Sequence, residues 1–292
     1  MTSKPKAKKM VKSAGIAPET TGIDALRRLL REGAAIYEAR RVGILESDDP
    51  EHVHQARVAL RRLRSLVRGF SDMLTGKTAD RLSDLLKSRF QALGPLRDAD
   101  VHAEALSQTD HAEAASREAA SLRADIREQL SSDKALSLKT EIEALLHDTN
   151  AAMRGARRQR LAASPLGVMA SRALQTAWTE LLSFGPDLRR LPRGELHEFR
   201  KRAKDMRYLS EFFGPVFNDD PKNMSKRMAG MQDALGIVND IDTMRAAEAS
   251  DETAPGLPPD ADQIESGALR DAQKAWKKLR QIPPWWTGAP LS

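Results

Sequence analysis

Glu51-His-Val-His-Gln-Ala-Arg-Val-Ala-Leu-Arg-Arg-Leu-Arg-Ser-Leu-Val-Arg-Gly-Phe70 holds five arginines and two histidines, and no acid follows Glu51 before Asp72. Drawn as a helix, it places His54, Arg57, Arg61, Arg64 and Arg68 on one narrow stripe. Val53, Ala56, Leu60, Leu63 and Val67 make a second stripe beside it. Such a helix packs through one ridge and presents the other to something negative. From His54 to Arg68 the cationic ridge runs about 21 Å, at 1.5 Å per residue.

Outward from this stretch the chain reads as a succession of helices. Asp49 is a candidate N-cap with Pro50 at the first helical position. A helix precedes it from Gly22, with Ile23, Leu26, Leu29, Leu30, Ala34, Tyr37 and Ile44 at three- and four-residue steps. The basic helix is expected to reach about Thr75. A third helix is expected over about 79–106, containing Leu93-Gly-Pro-Leu-Arg-Asp-Ala-Asp100. A fourth is expected over about 111–160, broken near Ser131-Ser-Asp133. Ser164-Pro165 reads as a cap-and-proline start for a helix through Val168, Leu174, Trp178 and Leu181.

Then the opening pattern returns. In Glu195-Leu-His-Glu-Phe-Arg-Lys-Arg-Ala-Lys-Asp-Met-Arg-Tyr208, the residues His197, Arg200, Lys204 and Arg207 repeat the spacing of His54, Arg57, Arg61 and Arg64. Leu235-Gly-Ile-Val-Asn-Asp-Ile-Asp242 repeats Leu93–Asp100 at nearly the same offset, which points to a tandem duplication. A Pro/Gly-rich acidic loop over 250–262, a helix over about 263–282 and a packed Trp285-Trp286 close the chain. The expected fold is all-α: two antiparallel four-helix bundles related by a pseudo-two-fold, the two basic ridges lining a central groove or pore. The expected boundaries are a disordered basic tail over 1–21, bundle halves over 22–163 and 164–286, and a tail over 287–292.

Composition agrees with helices: 40% hydrophobic residues but only 4% aromatic. The formal charge of +6 is uneven, since Lys4, Lys6, Lys8, Lys9 and Lys12 against Glu19 put +4 in the first 21 residues. The remainder carries 42 basic against 40 acidic residues, so the pattern of charge must carry any argument for an anionic ligand. The absence of cysteine excludes disulfides, thiolate metal sites and cysteine nucleophiles. No secretory signal or membrane-length apolar run is present, and a cytoplasmic protein without membrane association is expected.

Rows of arginine suit a repeating polyanion, because the planar guanidinium fork grips phosphate oxygens. A competing reading pairs the ridge arginines with Asp98, Asp100, Asp240 or Asp242 of neighbouring helices on a solvated face. The second ridge is less pure, with Glu198, Asp205 and Glu211 interspersed. Metal binding is not expected: His54 and His197 lack i, i+4 partners, and His197-Glu-Phe-Arg is not a zinc-protease motif. No phosphate loop, nucleophile elbow or triad is visible, so no catalytic residue, enzymatic activity or cofactor is expected. Nothing resembles a sequence-specific DNA reader, and the phenylalanines and Tyr208 mostly read as core rather than as stacking platforms.

The motifs His54-x-x-Arg-Val-x-x-Arg-Arg-Leu-Arg64 and Leu93-Gly-x-x-Arg-Asp-x-Asp100, with their echoes at His197–Tyr208 and Leu235–Asp242, resemble the CHAD family, the conserved histidine α-helical domain. The resemblance covers nearly all of residues 22–286. It implies two four-helix bundles around a basic groove or pore, and binding of inorganic polyphosphate. Many members are fused to a CYTH triphosphatase domain, and this chain looks like the stand-alone type. The implied contacts are His54, Arg57, Arg61, Arg62, Arg64 and Arg97, then His197, Arg200, Lys204 and Arg207, with Arg68, Lys201 and Arg40 as secondary candidates. Two departures stand out: Asn239 occupies the position of Arg97, and Lys204 that of Arg61. The resemblance also implies a role at polyphosphate granules or in presenting the polymer to proteins. Regulation of a phosphate-transferring enzyme and RNA binding remain alternatives.

Overall fold

The computed structural model describes residues 15–17, 19–132, 137–217, 222–250 and 256–287. It is all-helical: among the described residues there is no strand beyond one isolated bridge, Thr21 to Pro165. The expected disordered tail lies largely outside the described residues, as does part of the 250–262 loop. By contacts the chain divides into two compact units, Met1–Met169 and Ala170–Ser292.

In the first unit, α1 (Gly22–Glu46) starts at Thr21, whose hydroxyl accepts from the Asp24 amide. Its Leu26, Leu29, Leu30, Tyr37 and Ile44 are fully buried, largely against α2 (Pro50–Gly69), the basic helix. That helix is capped as expected: Asp49 Oδ1 accepts from the Glu51 amide at 2.8 Å and Pro50 opens the first turn. Two glycines let α1 and α2 approach closely. A Cβ on Gly33 would sit 2.4 Å from Leu63 Cδ2, and one on Gly43 2.2 Å from His52 Nδ1. The position of the arginine ridge is thus set by the adjacent apolar stripe of its own helix.

α2 ends at Gly69, earlier than expected, and a 3₁₀ turn follows over Ser71–Met73. The single helix expected over 79–106 is two, α3 (Gly76–Ala92) and α4 (Gly94–Ala105), broken at Leu93. Pro95 explains the break, since it cannot donate to Gln91 and its ring crowds that carbonyl. Over 111–160, where one break near Ser131 is expected, α5 (Ala112–Ser131) ends at that point, and the described residues after it form three further helices: α6 (Leu138–Leu145), α7 (Thr149–Ala152) and α8 (Ala156–Ala163). Asp148 caps α7 through the Ala151 amide, and Gly155, at φ 111°, supplies the turn into α8 that other residues rarely adopt. The long apolar period of 138–163 is therefore cut twice by local chemistry.

α9 (Leu166–Ser183) starts one residue after Pro165, with its first four residues in the first unit. Ser164 does not cap it; the Ser164 hydroxyl donates backwards to the Leu161 carbonyl. The second unit continues with a 3₁₀ turn at Leu188–Arg190, then α10 (Arg193–Phe213), α11 (Lys222–Ser250) and α12 (Ala261–Leu279). Here Ile237 stands where the first unit has Pro95, and α11 runs unbroken through Leu235-Gly236. The core is a chain of edge-to-face rings: Phe184, Phe199, Trp276, Trp178, Trp286, Trp285 and Phe217, with neighbouring centroids 5.1–6.1 Å apart. Buried indoles also need acceptors: Trp276 donates to the Gly185 carbonyl and Trp286 to Gln175 Oε1. Among the described residues no helix is long and apolar enough to cross a membrane.

Candidate functional site

On α2 the alternation of stripes is realised in three dimensions. Val53, Ala56, Leu60, Leu63 and Val67 are buried, whereas His54, Arg57, Arg61 and Arg62 are half-buried and Arg64 and Arg68 exposed. The arginines do not simply project into water. Phe90, half-buried in the last turn of α3, lies under three of them. The guanidinium carbons of Arg57, Arg61 and Arg64 stand 4.1, 5.4 and 5.8 Å from its ring centroid. Arg57 Nη1 also donates to the Phe90 carbonyl at 3.1 Å. Like charges gathered this closely repel, and the ring face partly offsets that repulsion.

Burial lowers the pKa of Arg57 from its usual value; Asp98 opposes the shift, and Arg61 and Arg97 add to it. The guanidinium keeps its charge at neutral pH all the same. Arg97 thus belongs to the electrostatic neighbourhood of the ridge. It also pulls on Asp100, whose carboxyl burial drives above the ordinary aspartate range against Arg123 and Arg97.

Two of the four aspartates considered as partners for the ridge are paired elsewhere. Asp100 is buried against Arg123 of α5 at 2.6 Å. Asp242 lies 3.5 Å from Arg193 and 3.7 Å from Arg245. Asp98 and Asp240 are exposed. Among the described residues, Arg57, Arg61 and Arg64 have no carboxylate within 4 Å. No ion pair within that distance neutralises them, although Asp98 acts on Arg57 from farther away.

The second ridge, on α10, keeps the pattern but with more internal neutralisation. His197 is exposed, with Nδ1 3.1 Å from Asn239 Oδ1, and Arg200 Nη1 donates to the same oxygen at 3.4 Å. The substitution of Asn239 for a third cation therefore ties this histidine and arginine together. Lys204 and Arg207 are half-buried. Arg207 lies 3.8 Å from Glu211 and stacks 5.0 Å over Tyr208, its own neighbour in sequence. Lys201 pairs with Glu198 at 3.4 Å, and Arg202 pairs with Glu198 as well. Burial opposes ionisation of Glu198, but Arg202 and Lys201 outweigh it and hold its carboxyl below the usual range. Arg40, on α1, is half-buried.

The glycine of each Leu-Gly pair meets the second basic residue of a ridge. A Cβ on Gly94 would stand 3.2 Å from Arg57 Nη1, and one on Gly236 4.0 Å from Arg200 Nη2. The motif's glycine is thus a place where backbone yields to a guanidinium. Phe90 is the residue that sequence reasoning missed. Its position just before Leu93-Gly94 was the available signal, obscured because phenylalanines read by default as core. Among the described residues no group of histidine and carboxylate side chains could hold a metal ion.

A profile of the CHAD domain matches residues 28–249, which takes in both basic helices and both Leu-Gly segments. No curated protein matches the chain. Among solved structures, the CHAD domain from the plant Ricinus communis has a TM-score of 0.66 at 21% identity, over 94% of this chain and 96% of that one. PptA from Streptomyces chartreusis has a TM-score of 0.53 at 16% identity, over 89% and 97%. At these identities the two structures speak to the fold alone. The profile match, which spans well over half of the sequence and includes its repeated motifs, shows that the chain belongs to the CHAD domain family.

Proposed function

We propose that the protein binds inorganic polyphosphate along its two basic ridges, without chemical turnover. The observation that carries this reading is the cluster of Arg57, Arg61 and Arg64 over Phe90, three cations with no carboxylate in ion-pairing reach among the described residues. Guanidiniums spaced by one helical turn suit a ligand with a charge at every repeat. The family resemblance names such a ligand. The ridges on α2 and α10 are read as copies of one duplicated element. The basic groove or pore expected from that duplication has a measurable corollary: affinity rises with chain length until one polymer engages both ridges. Association with polyphosphate granules in the cytoplasm, or presentation of the polymer to other proteins, is the role this binding would serve.

Calorimetry with long-chain polyphosphate, tripolyphosphate and RNA tests the reading. The expected result is tight binding of the long chain, weak binding of tripolyphosphate, and a steep fall with salt as counterions are released. RNA that displaces polyphosphate at equal phosphate concentration contradicts it. So does stoichiometric capture of a phosphate-transferring enzyme by a chain that fails to bind the purified polymer.

A further inference from the structure

We infer that Phe90 is a positioning residue for the first ridge, its ring holding Arg57, Arg61 and Arg64 in one fan; the inference rests on the polyphosphate reading for its ligand. Three guanidiniums within 6 Å of one ring centroid form a single assembly built from two helices. A guanidinium held over a ring face keeps N–H groups that the ring does not engage, and these can donate to an anion; Arg57 commits only Nη1, to the Phe90 carbonyl. Arginine side chains are also costly to immobilise, so a ring that restrains them before the ligand arrives strengthens binding without touching the ligand. The second unit shows the arrangement without a ring at the position of Phe90. At the offset relating Leu93-Gly94 to Leu235-Gly236, the counterpart of Phe90 is Gln232. Gln232 is buried and donates to the Ala203 carbonyl at 2.8 Å, a purely internal contact. The two ridges therefore differ: in the first, one ring gathers three guanidiniums from another helix, whereas in the second Tyr208 takes Arg207, and Asn239 and intrahelical acids are further partners. The first is the stronger binding element.

The experiment compares the full chain with its Phe90→Leu and Phe90→Tyr variants by calorimetry with long-chain polyphosphate at several salt concentrations. Phe90→Leu should weaken binding about tenfold, while Phe90→Tyr, which keeps the ring face, should bind like the parent. The salt slope should stay unchanged, since the same phosphates are contacted. A second readout needs no ligand: in NMR spectra of the free parent, the Arg57 side-chain N–H resonance should show a ring-current shift that Phe90→Tyr retains. A parent that does not bind polyphosphate overturns the proposed function, and the ring-current shift then judges Phe90 by itself. Leucine binding as tightly as phenylalanine, tyrosine failing with leucine, or a parent without the shift overturns the inference. A Phe90→Leu variant that melts early but binds fully makes Phe90 a packing residue only.

Discussion

At the scale of single residues, the sharpest contrast lies between two glycines of one motif. Gly94→Ala places a methyl 3.2 Å from Arg57 Nη1, tighter than ordinary contact, whereas Gly236→Ala meets Arg200 at an ordinary 4.0 Å. Displacing one charged group from its ligand costs about 1 kcal/mol, so Gly94→Ala should weaken polyphosphate binding several-fold while Gly236→Ala leaves it unchanged. Equal effects in calorimetry would remove Arg57 from the site. The Asp100–Arg123 pair is a different kind of residue-scale feature, an ion pair with both side chains buried. Asp100→Ala leaves the Arg123 charge buried without its nearest acid and should cost about 3–5 kcal/mol in urea unfolding. Its pH behaviour has a definite sign. Burial raises the carboxyl's folded-state pKa. The stability it contributes is therefore fully present below the unfolded-state pKa and is lost as pH rises through the folded one. The stability of the parent relative to Asp100→Asn should accordingly fall as pH rises from the unfolded-state value toward neutrality; a rise would mean that pairing, not burial, dominates.

At the scale of elements, the approach of α1 to α2 determines where the ridge sits. Gly33→Ala gains up to about 1 kcal/mol in helix propensity. It also drives a methyl to 2.4 Å from Leu63 Cδ2, and Leu63 is fully buried. Overpacking of that sort costs about 1–3 kcal/mol, so the variant should be less stable on thermal unfolding despite the better helix former. A melting temperature at or above the parent's would show that the α1–α2 interface yields easily. This close approach was invisible in the sequence, because nothing local in Gly33 marks what lies opposite it. Other elements were legible. Asp49-Pro50 announces the start of α2, and the three- and four-residue apolar steps announce α1 and α2, because caps and periodicity are local. The break at Leu93 was legible in principle from Pro95, yet apolar periodicity on both sides masked it. The fragmentation after Ser131 depends on Asp148 and Gly155, short-range signals that a continuous pattern overrides on paper. The ridge residues were legible because they repeat. Phe90 was not, since it reaches α2 across 33 residues of chain from Arg57.

At the scale of the whole molecule, charge distribution bears on what binding would look like. The five lysines of the first 14 residues carry most of the formal excess. If those lysines were the ligand's main anchor, removing residues 1–14 would abolish binding; the ridge reading expects the affinity for long-chain polyphosphate to fall only modestly. The two units also differ in construction, one with an aliphatic core around α1 and α2, the other with a chain of aromatic rings around Trp276 and Trp286. A common motif is thus carried on two differently packed cores. The central claim concerns the ridges and is tested most directly by the salt dependence of long-chain polyphosphate binding in the parent and in an Arg57→Ala/Arg61→Ala/Arg200→Ala variant. Each phosphate that is no longer neutralised should reduce the salt slope by about 1, so the variant should bind far more weakly and with a slope lower by about 2–3. A folded variant that binds with the parent's affinity and slope would contradict the account.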